Sequence, residues 1–205
     1  MALTITSTAS LRGGVQLPLL GLGVYQSPPG EETRRAVEAA LAVGYRHVDT
    51  ARAYGNERDV AEGIVASGVP RDEVFVTTKL WNSDQGYDET LRACDASLAR
   101  LGAERVDLYL VHWPVQKLRN DTWRAMEKLK RDGKARAIGV SNYPVRHLEE
   151  LLARAKEPPS VNQVELHPCL QQRALVEFCR ASGIVVEAYA PLVKAQRMDL
   201  SLIHI

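Results

Sequence analysis

The sequence predicts an α/β protein built as a (β/α)8 TIM barrel that carries an N-terminal β-hairpin and is truncated after its seventh strand. Three observations predict it. Short apolar strands alternate with amphipathic helices along the chain, the pattern of a parallel sheet covered by helices. Polar residues gather at one place in each unit, since Asp49, Lys79, His112, Ser141 with Asn142, Gln163 and Tyr189 all fall at or just past the C-terminal end of a strand. In a barrel such ends converge on one mouth, whereas an open doubly wound sheet spreads them along an edge. Finally, the first strand is followed by GLGVYQ, whose glycines are too few and wrongly spaced for a dinucleotide-binding G-x-G-x-x-G turn.

The elements follow in order. LTITSTASL, the turn residues Arg12-Gly13-Gly14 and VQLP predict the hairpin, with glycines supplying the positive φ of the turn. LLGLGV is the first core strand. EETRRAVEAALAVG is a helix, because Ala36, Val37, Ala40 and Leu41 recur at helical spacing and the pattern stops at Gly44. RHVDT, VFVTTKL, VDLYLVHW, ARAIGVS, VNQVEL and IVVEAYA are the further strands. NERDVAEGIVAS, DETLRACDASLARL, DTWRAMEKLKRD, PVRHLEELLARA and QRALVEFCRAS are the helices between them. Seven core strands joined by six helices result.

Composition narrows the function classes. A chain of 205 residues, 45% hydrophobic and 25% charged, suits one soluble domain with one sizeable core. A formal net charge of +1 with both signs interleaved gives no basic field, so neither nucleic acid nor a membrane is expected as partner. The three cysteines, Cys94, Cys169 and Cys179, lack metal-ligand spacing and are odd in number, so neither a disulfide framework nor a metal site is expected; Cys94 and Cys179 suit small core positions. The N-terminus has no secretory pattern and no apolar run is long enough to span a bilayer, so a cytoplasmic location is expected.

The strand-end residues have a shared chemical logic. A tyrosine hydroxyl with an ordinary pKa near 10 is a poor acid at neutral pH. A buried lysine ammonium beside it is expected to lower that value, and an aspartate holds the lysine charged and oriented. Tyr54, Lys79 and Asp49 supply those parts, and His112 adds an imidazole able to orient a carbonyl oxygen. Taken singly, each also fits a capped turn or a satisfied core hydrogen bond. Their joint placement at successive strand ends favours a site. Asn56 is expected as the N-cap of its helix and Trp123 as packing, while Glu31-Glu32 and Glu149-Glu150 suit solvated helix faces; His167 is assigned no role.

LPLLGLGVY, GYRHVDTARAYGNE, VFVTTKLWN, VDLYLVHWP, AIGVSNY, NQVELHP and AYAPL resemble, in the same order, the segments of aldo-keto reductases, from about Leu17 to Leu192. The short connection after His112 is similar to the compact prokaryotic-type members, the 2,5-diketo-D-gluconic acid reductases among them. The resemblance implies reduction of aldehydes or ketones with NADPH by a monomer acting on a small-molecule carbonyl substrate. It makes Tyr54 the general acid, has Asp49 and Lys79 tune it, and has His112 orient the substrate. It puts Ser141, Asn142 and Gln163 on the nicotinamide carboxamide and Tyr189 under the ring, with Val24 and Asp49 also near the cofactor. Tyr25, Trp81, His112 and Trp113 then line the substrate pocket. A cofactor-binding regulatory subunit without turnover is the alternative, and a phosphate-handling isomerase is weaker because AYAPLVK is not glycine-rich.

A complete barrel of this kind takes about 250 residues. The eighth unit, where the family reads the 2′-phosphate of NADPH, is therefore expected to be missing, and no residue present reads NADP against NAD. Residues 200–205, LSLIHI, resemble a translated sequencing adapter and are expected to be a non-native tail on a single domain spanning 1–199. Unpaired edges on the first and seventh strands are expected to make the chain fold poorly, bind NADPH weakly and turn over little.

Overall fold

The structure, a computed structural model, describes residues 3–193. The tail expected at 200–205 lies outside the described residues, as do the last residues of the expected domain. The hairpin pairs β1 (Thr8–Ser10) antiparallel with β2 (Gln16–Pro18). A single 3-10 turn joins them, in which Gly13 and Gly14 both take φ of 79°, a conformation that favours glycine.

After the hairpin come β3 (Leu22–Gly23), α1 (Glu31–Ala42), β4 (His47–Asp49), α2 (Glu57–Ala66), β5 (Phe75–Leu80), α3 (Tyr87–Leu101) and β6 (Val106–Val111). The chain continues through α4 (Arg119–Arg131), β7 (Ala135–Ser141), α5 (Val145–Leu152), β8 (Val161–Glu165), α6 (Arg173–Ala181) and β9 (Val185–Tyr189). The seven strands β3 to β9 form one sheet, every pair parallel and every neighbour consecutive in the chain. A doubly wound sheet reverses its order at a switch point, and this one never does. It is a barrel sheet with one open seam: among the described residues β3 pairs only with β4, and β9 only with β8.

Strand pleating divides the core in two. Val76, Leu80, Tyr109, Val111, Ile138 and Val140 face outward and pack with helix residues such as Val37, Leu41, Val60, Ile64, Leu98 and Met126. Phe75, Leu108, Leu110, Ala137 and Val161 face inward and pack with Leu11, Val15 and Leu17 of the hairpin. The hairpin thus closes the N-terminal end of the barrel with apolar side chains. The interior is narrow: a Cβ on Gly139 would stand 2.6 Å from the Val161 carbonyl and 2.8 Å from Leu110. Further up the same inward rows the apolar residues give way to Asp49, Lys79 and Gln163, which leaves these polar groups together at one end, while His47 starts its row in register with Phe75.

Two boundaries differ from expectation. Only Leu22–Gly23 of LLGLGV joins the sheet, and β6 stops at Val111, so His112 and Trp113 begin the loop beyond it. Cys94 and Cys179 are buried free thiols, and Trp123 is buried in the core with its Nε1 donating to the Glu157 carbonyl at 3.0 Å. No helix among the described residues is long and apolar enough to cross a membrane.

Candidate active site

Lys79 is the hub. It ends the inward row of β5, is 1% exposed, and its Nζ donates to Asp49 Oδ1, to the Thr50 carbonyl at 3.0 Å and to the Tyr54 hydroxyl at 3.4 Å. An ammonium so buried needs its donors satisfied, and all three partners come from β4 and the turn after it. Tyr54 reaches back because the chain makes a 3-10 turn at Arg52–Tyr54 and then takes a left-handed step at Gly55, with φ of 72°. His112 stands on the far side of Tyr54, ring centroids 5.7 Å apart and edge to face, and Trp81 packs 5.1 Å from His112. Tyr25 lies 5.1 Å from the Tyr54 ring, and both Tyr25 and Trp113 are exposed. The four residues expected to share proton chemistry therefore share one mouth, with three aromatic side chains around it.

The charges of the group follow from its burial. Burial by itself pushes the Lys79 ammonium down, but Asp49 and Tyr54 outweigh it and the net direction is up, so the lysine stays charged. His112 is pushed down to about 4 by burial and then by Lys79, against the pull of Asp49, so it is neutral at working pH. Its Nδ1 is buried without a hydrogen-bond partner. Tyr54 departs from expectation. Its pKa is raised above the ordinary value, because burial outweighs the downward pull of Lys79 and Asp49 adds to the rise. The lysine moderates that rise but does not reverse it.

The residues expected around a nicotinamide are linked to this group and to one another. Gln163 Nε2 donates to Asp49 Oδ2 at 2.8 Å, across the barrel from β8 to β4. Ser141 Oγ donates to the Gln163 carbonyl at 2.8 Å. Asn142 takes a left-handed φ of 62°; its Nδ2 donates to the His112 carbonyl at 3.1 Å and to Ser141 Oγ at 3.0 Å, and its Oδ1 accepts from the Tyr189 hydroxyl at 3.0 Å. Amide and hydroxyl groups at the ends of β7, β8 and β9 form a donor and acceptor set of the kind a carboxamide takes, and the half-buried Tyr189 presents an aromatic ring beside them. The chemistry of that set fits a nicotinamide. Val24 is buried in the outer core at 1% exposure, with its N–H donating to the Asp49 carbonyl and its own carbonyl accepting from Asn56.

Two participants escaped the sequence pattern. Asn56 occupies the expected position before α2, but its side chain makes no capping bond. Instead it is fully buried, accepts from Thr50 Oγ1 at 2.8 Å, and donates to the carbonyls of Val24 at 3.0 Å and Ser27 at 3.2 Å. The oxygen that would accept from a helix amide is taken by the Thr50 hydroxyl, and the two carbonyls fix the amide nitrogen away from the helix. The other is Glu187, inside the barrel with His47 and Asp49; its signal was a carboxylate two residues before Tyr189 in the apolar run IVVEAYA.

A barrel sheet with a buried lysine-tyrosine-aspartate group and a neutral histidine at its C-terminal mouth defines an α/β-barrel oxidoreductase. The chain belongs to the aldo/keto reductase family, whose model matches residues 19–196. It is 51% identical over 199 residues to the glyoxal reductase of Bacillus subtilis, an alignment covering 97% of this chain and 72% of that protein. Among solved structures it is similar to MGS-M4, an aldo-keto reductase from a deep-sea metagenome library, with a TM-score of 0.90, 48% identity and coverage of 94% and 70%. It also superposes on an aldo-keto reductase of Bombyx mori in complex with NADP, with a TM-score of 0.84, 34% identity and coverage of 92% and 67%.

Proposed function

We propose that the chain reduces aldehydes or ketones to alcohols with NADPH, with Tyr54 as the general acid. The observation that carries this is the continuous chain from Asp49 through Lys79 to the Tyr54 hydroxyl, with the His112 ring beside it. The chemistry a bound nicotinamide would supply is a hydride for the carbonyl carbon. The carbonyl oxygen gathers negative charge as that happens, and Tyr54 gives it a proton. Lys79, held charged by Asp49, stabilises the phenolate left on Tyr54. His112, neutral, donates a hydrogen bond that fixes the oxygen near the tyrosine. Ser141, Asn142, Gln163 and Tyr189 would hold the carboxamide and ring. Tyr25, Trp81 and Trp113 offer an aromatic rim, which suits a small carbonyl compound with an apolar flank. Complexation of the Bombyx mori relative with NADP supports the cofactor, and the name of the Bacillus subtilis relative supports a small aldehyde as substrate.

The test is NADPH consumption with a panel of simple aldehydes. Tyr54→Phe should lower kcat by about 10²- to 10⁴-fold, the size of a lost general acid, while NADPH binding followed by fluorescence stays unchanged. Full turnover in that variant would reject Tyr54 as the acid. NADPH binding with no turnover both in this chain and in a full-length form carrying it would favour a regulatory subunit instead.

A further inference from the structure

Glu187 is an acid in a place where an acid is costly. It lies on β9 directly beside Gln163 of β8, which reaches across the interior to Asp49. A ring nitrogen of His47 and a carboxyl oxygen each of Asp49 and Glu187 all lie within 4.8 Å of one another. The residue as a whole is half-buried, yet its Oε2 is closed off from water and has no hydrogen-bond partner. A second carboxylate so close to Asp49, with an oxygen unpaired, is disfavoured relative to one in water, which shifts the balance towards the neutral acid.

Among the described residues, the groups facing it can be named. From β4 come Asp49 and His47, the latter pushed down to about 4 by burial, hence neutral, and bonded through Nε2 to Thr77 Oγ1 at 2.9 Å. From β5 comes Lys79, from β8 Gln163, and beyond Lys79 lies Tyr54. β3 brings only Leu22 and Gly23. Burial and then Asp49 raise the Glu187 carboxyl to about 7, against Lys79 and Gln163.

We propose that Glu187 is a positioning residue for the carbonyl reduction: held as a neutral acid inside the barrel, it keeps a single carboxylate, that of Asp49, against Lys79, and its ionisation weakens Tyr54 as a proton donor. This rests on the reductase function proposed above. The sign follows from charge alone. A new anion near Lys79 absorbs part of its field and disfavours the Tyr54 phenolate, which makes the hydroxyl a weaker acid. Turnover therefore falls as Glu187 loses its proton.

The experiment compares pH profiles of wild type, Glu187→Gln and Glu187→Leu, with 13C NMR of the chain labelled at its glutamate carboxyls. Wild-type kcat should fall at least about fivefold between pH 6 and pH 8, and both variants should stay flat across that interval. One glutamate resonance should titrate near 7 rather than 4.5 and vanish in Glu187→Gln. A purely structural Glu187 would change kcat without changing the shape of the profile. The proposal is overturned if the variants keep the wild-type profile, or if every glutamate titrates near 4.5. Should neither variant fold, the NMR titration of the wild-type chain decides alone, since it reads the neutral acid directly. Undiminished turnover in Tyr54→Phe would sink the reductase function whatever Glu187 does, so the two failures are distinguishable.

Discussion

Asn56 touches none of the reacting atoms proposed here, yet it joins three segments of the site. Its amide ties Thr50, next to Asp49, to the carbonyls at either end of the loop that carries Tyr25. Asn56→Ala should destabilise the chain by about 1–3 kcal/mol, the cost of leaving buried polar groups unpaired, and should raise KM more than it lowers kcat because Tyr25 loses its support. Chemical denaturation with steady-state kinetics checks both. His47 gives a pH prediction. Folded, it takes a proton only below about 4, whereas its ordinary value is 6.5, so between these the unfolded chain binds more protons. Its contribution is complete above 6.5 and is lost as pH falls through 4, about 3 kcal/mol in all. Glu187 acts in the opposite direction, favouring the fold below 4.5 and losing that contribution as pH rises towards 7. Urea midpoints at several pH values should therefore show a smaller loss on acidification in His47→Gln than in wild type. The cluster of Asp49, Tyr54, Lys79 and His112 was legible in the sequence because its members sit at strand ends or in the turn just after one. Asn56 was placed correctly at the start of α2, but its side-chain partners were not legible, because only the fold brings Thr50, Val24 and Ser27 to it.

At the scale of elements, the central strands differ sharply from the last one. Every residue of β5 and β6 is buried, whereas β9 is only partly covered and, among the described residues, has one neighbour. An edge with free backbone groups opens more readily and offers a template for pairing. Hydrogen exchange should find the slowest amides in β5, β6 and β7 and the fastest sheet amides in β3 and β9, and uniform protection across the sheet would contradict this. The same contrast explains what the sequence disclosed. VFVTTKL and VDLYLV read plainly as strands because β-branched and apolar residues fill both faces, as burial on two sides demands. LLGLGV read as a longer strand than the Leu22–Gly23 that forms, because apolar content cannot say that pairing will come from one side only.

The whole molecule is a barrel sheet whose inward rows change character along their length. Leucine, valine and phenylalanine meet the hairpin at one end, and charged and amide groups collect at the other. The order of units and the polar mouth were both readable from periodicity. The Asp49–Gln163 bond and the enclosure of Glu187 were not, since they join residues far apart in the chain and depend on the curl of the sheet that brings β4, β8 and β9 to one interior. At this scale the central claim is that the mouth transfers hydride to a carbonyl carbon while Tyr54 protonates the oxygen. The most direct measurement follows deuterium from NADPH labelled at the nicotinamide C4 into the alcohol product of a simple aldehyde. The wild-type chain should deliver it to the former carbonyl carbon, and Tyr54→Phe should all but stop the transfer. Product free of deuterium at that carbon, or equal transfer by the two proteins, would contradict the account.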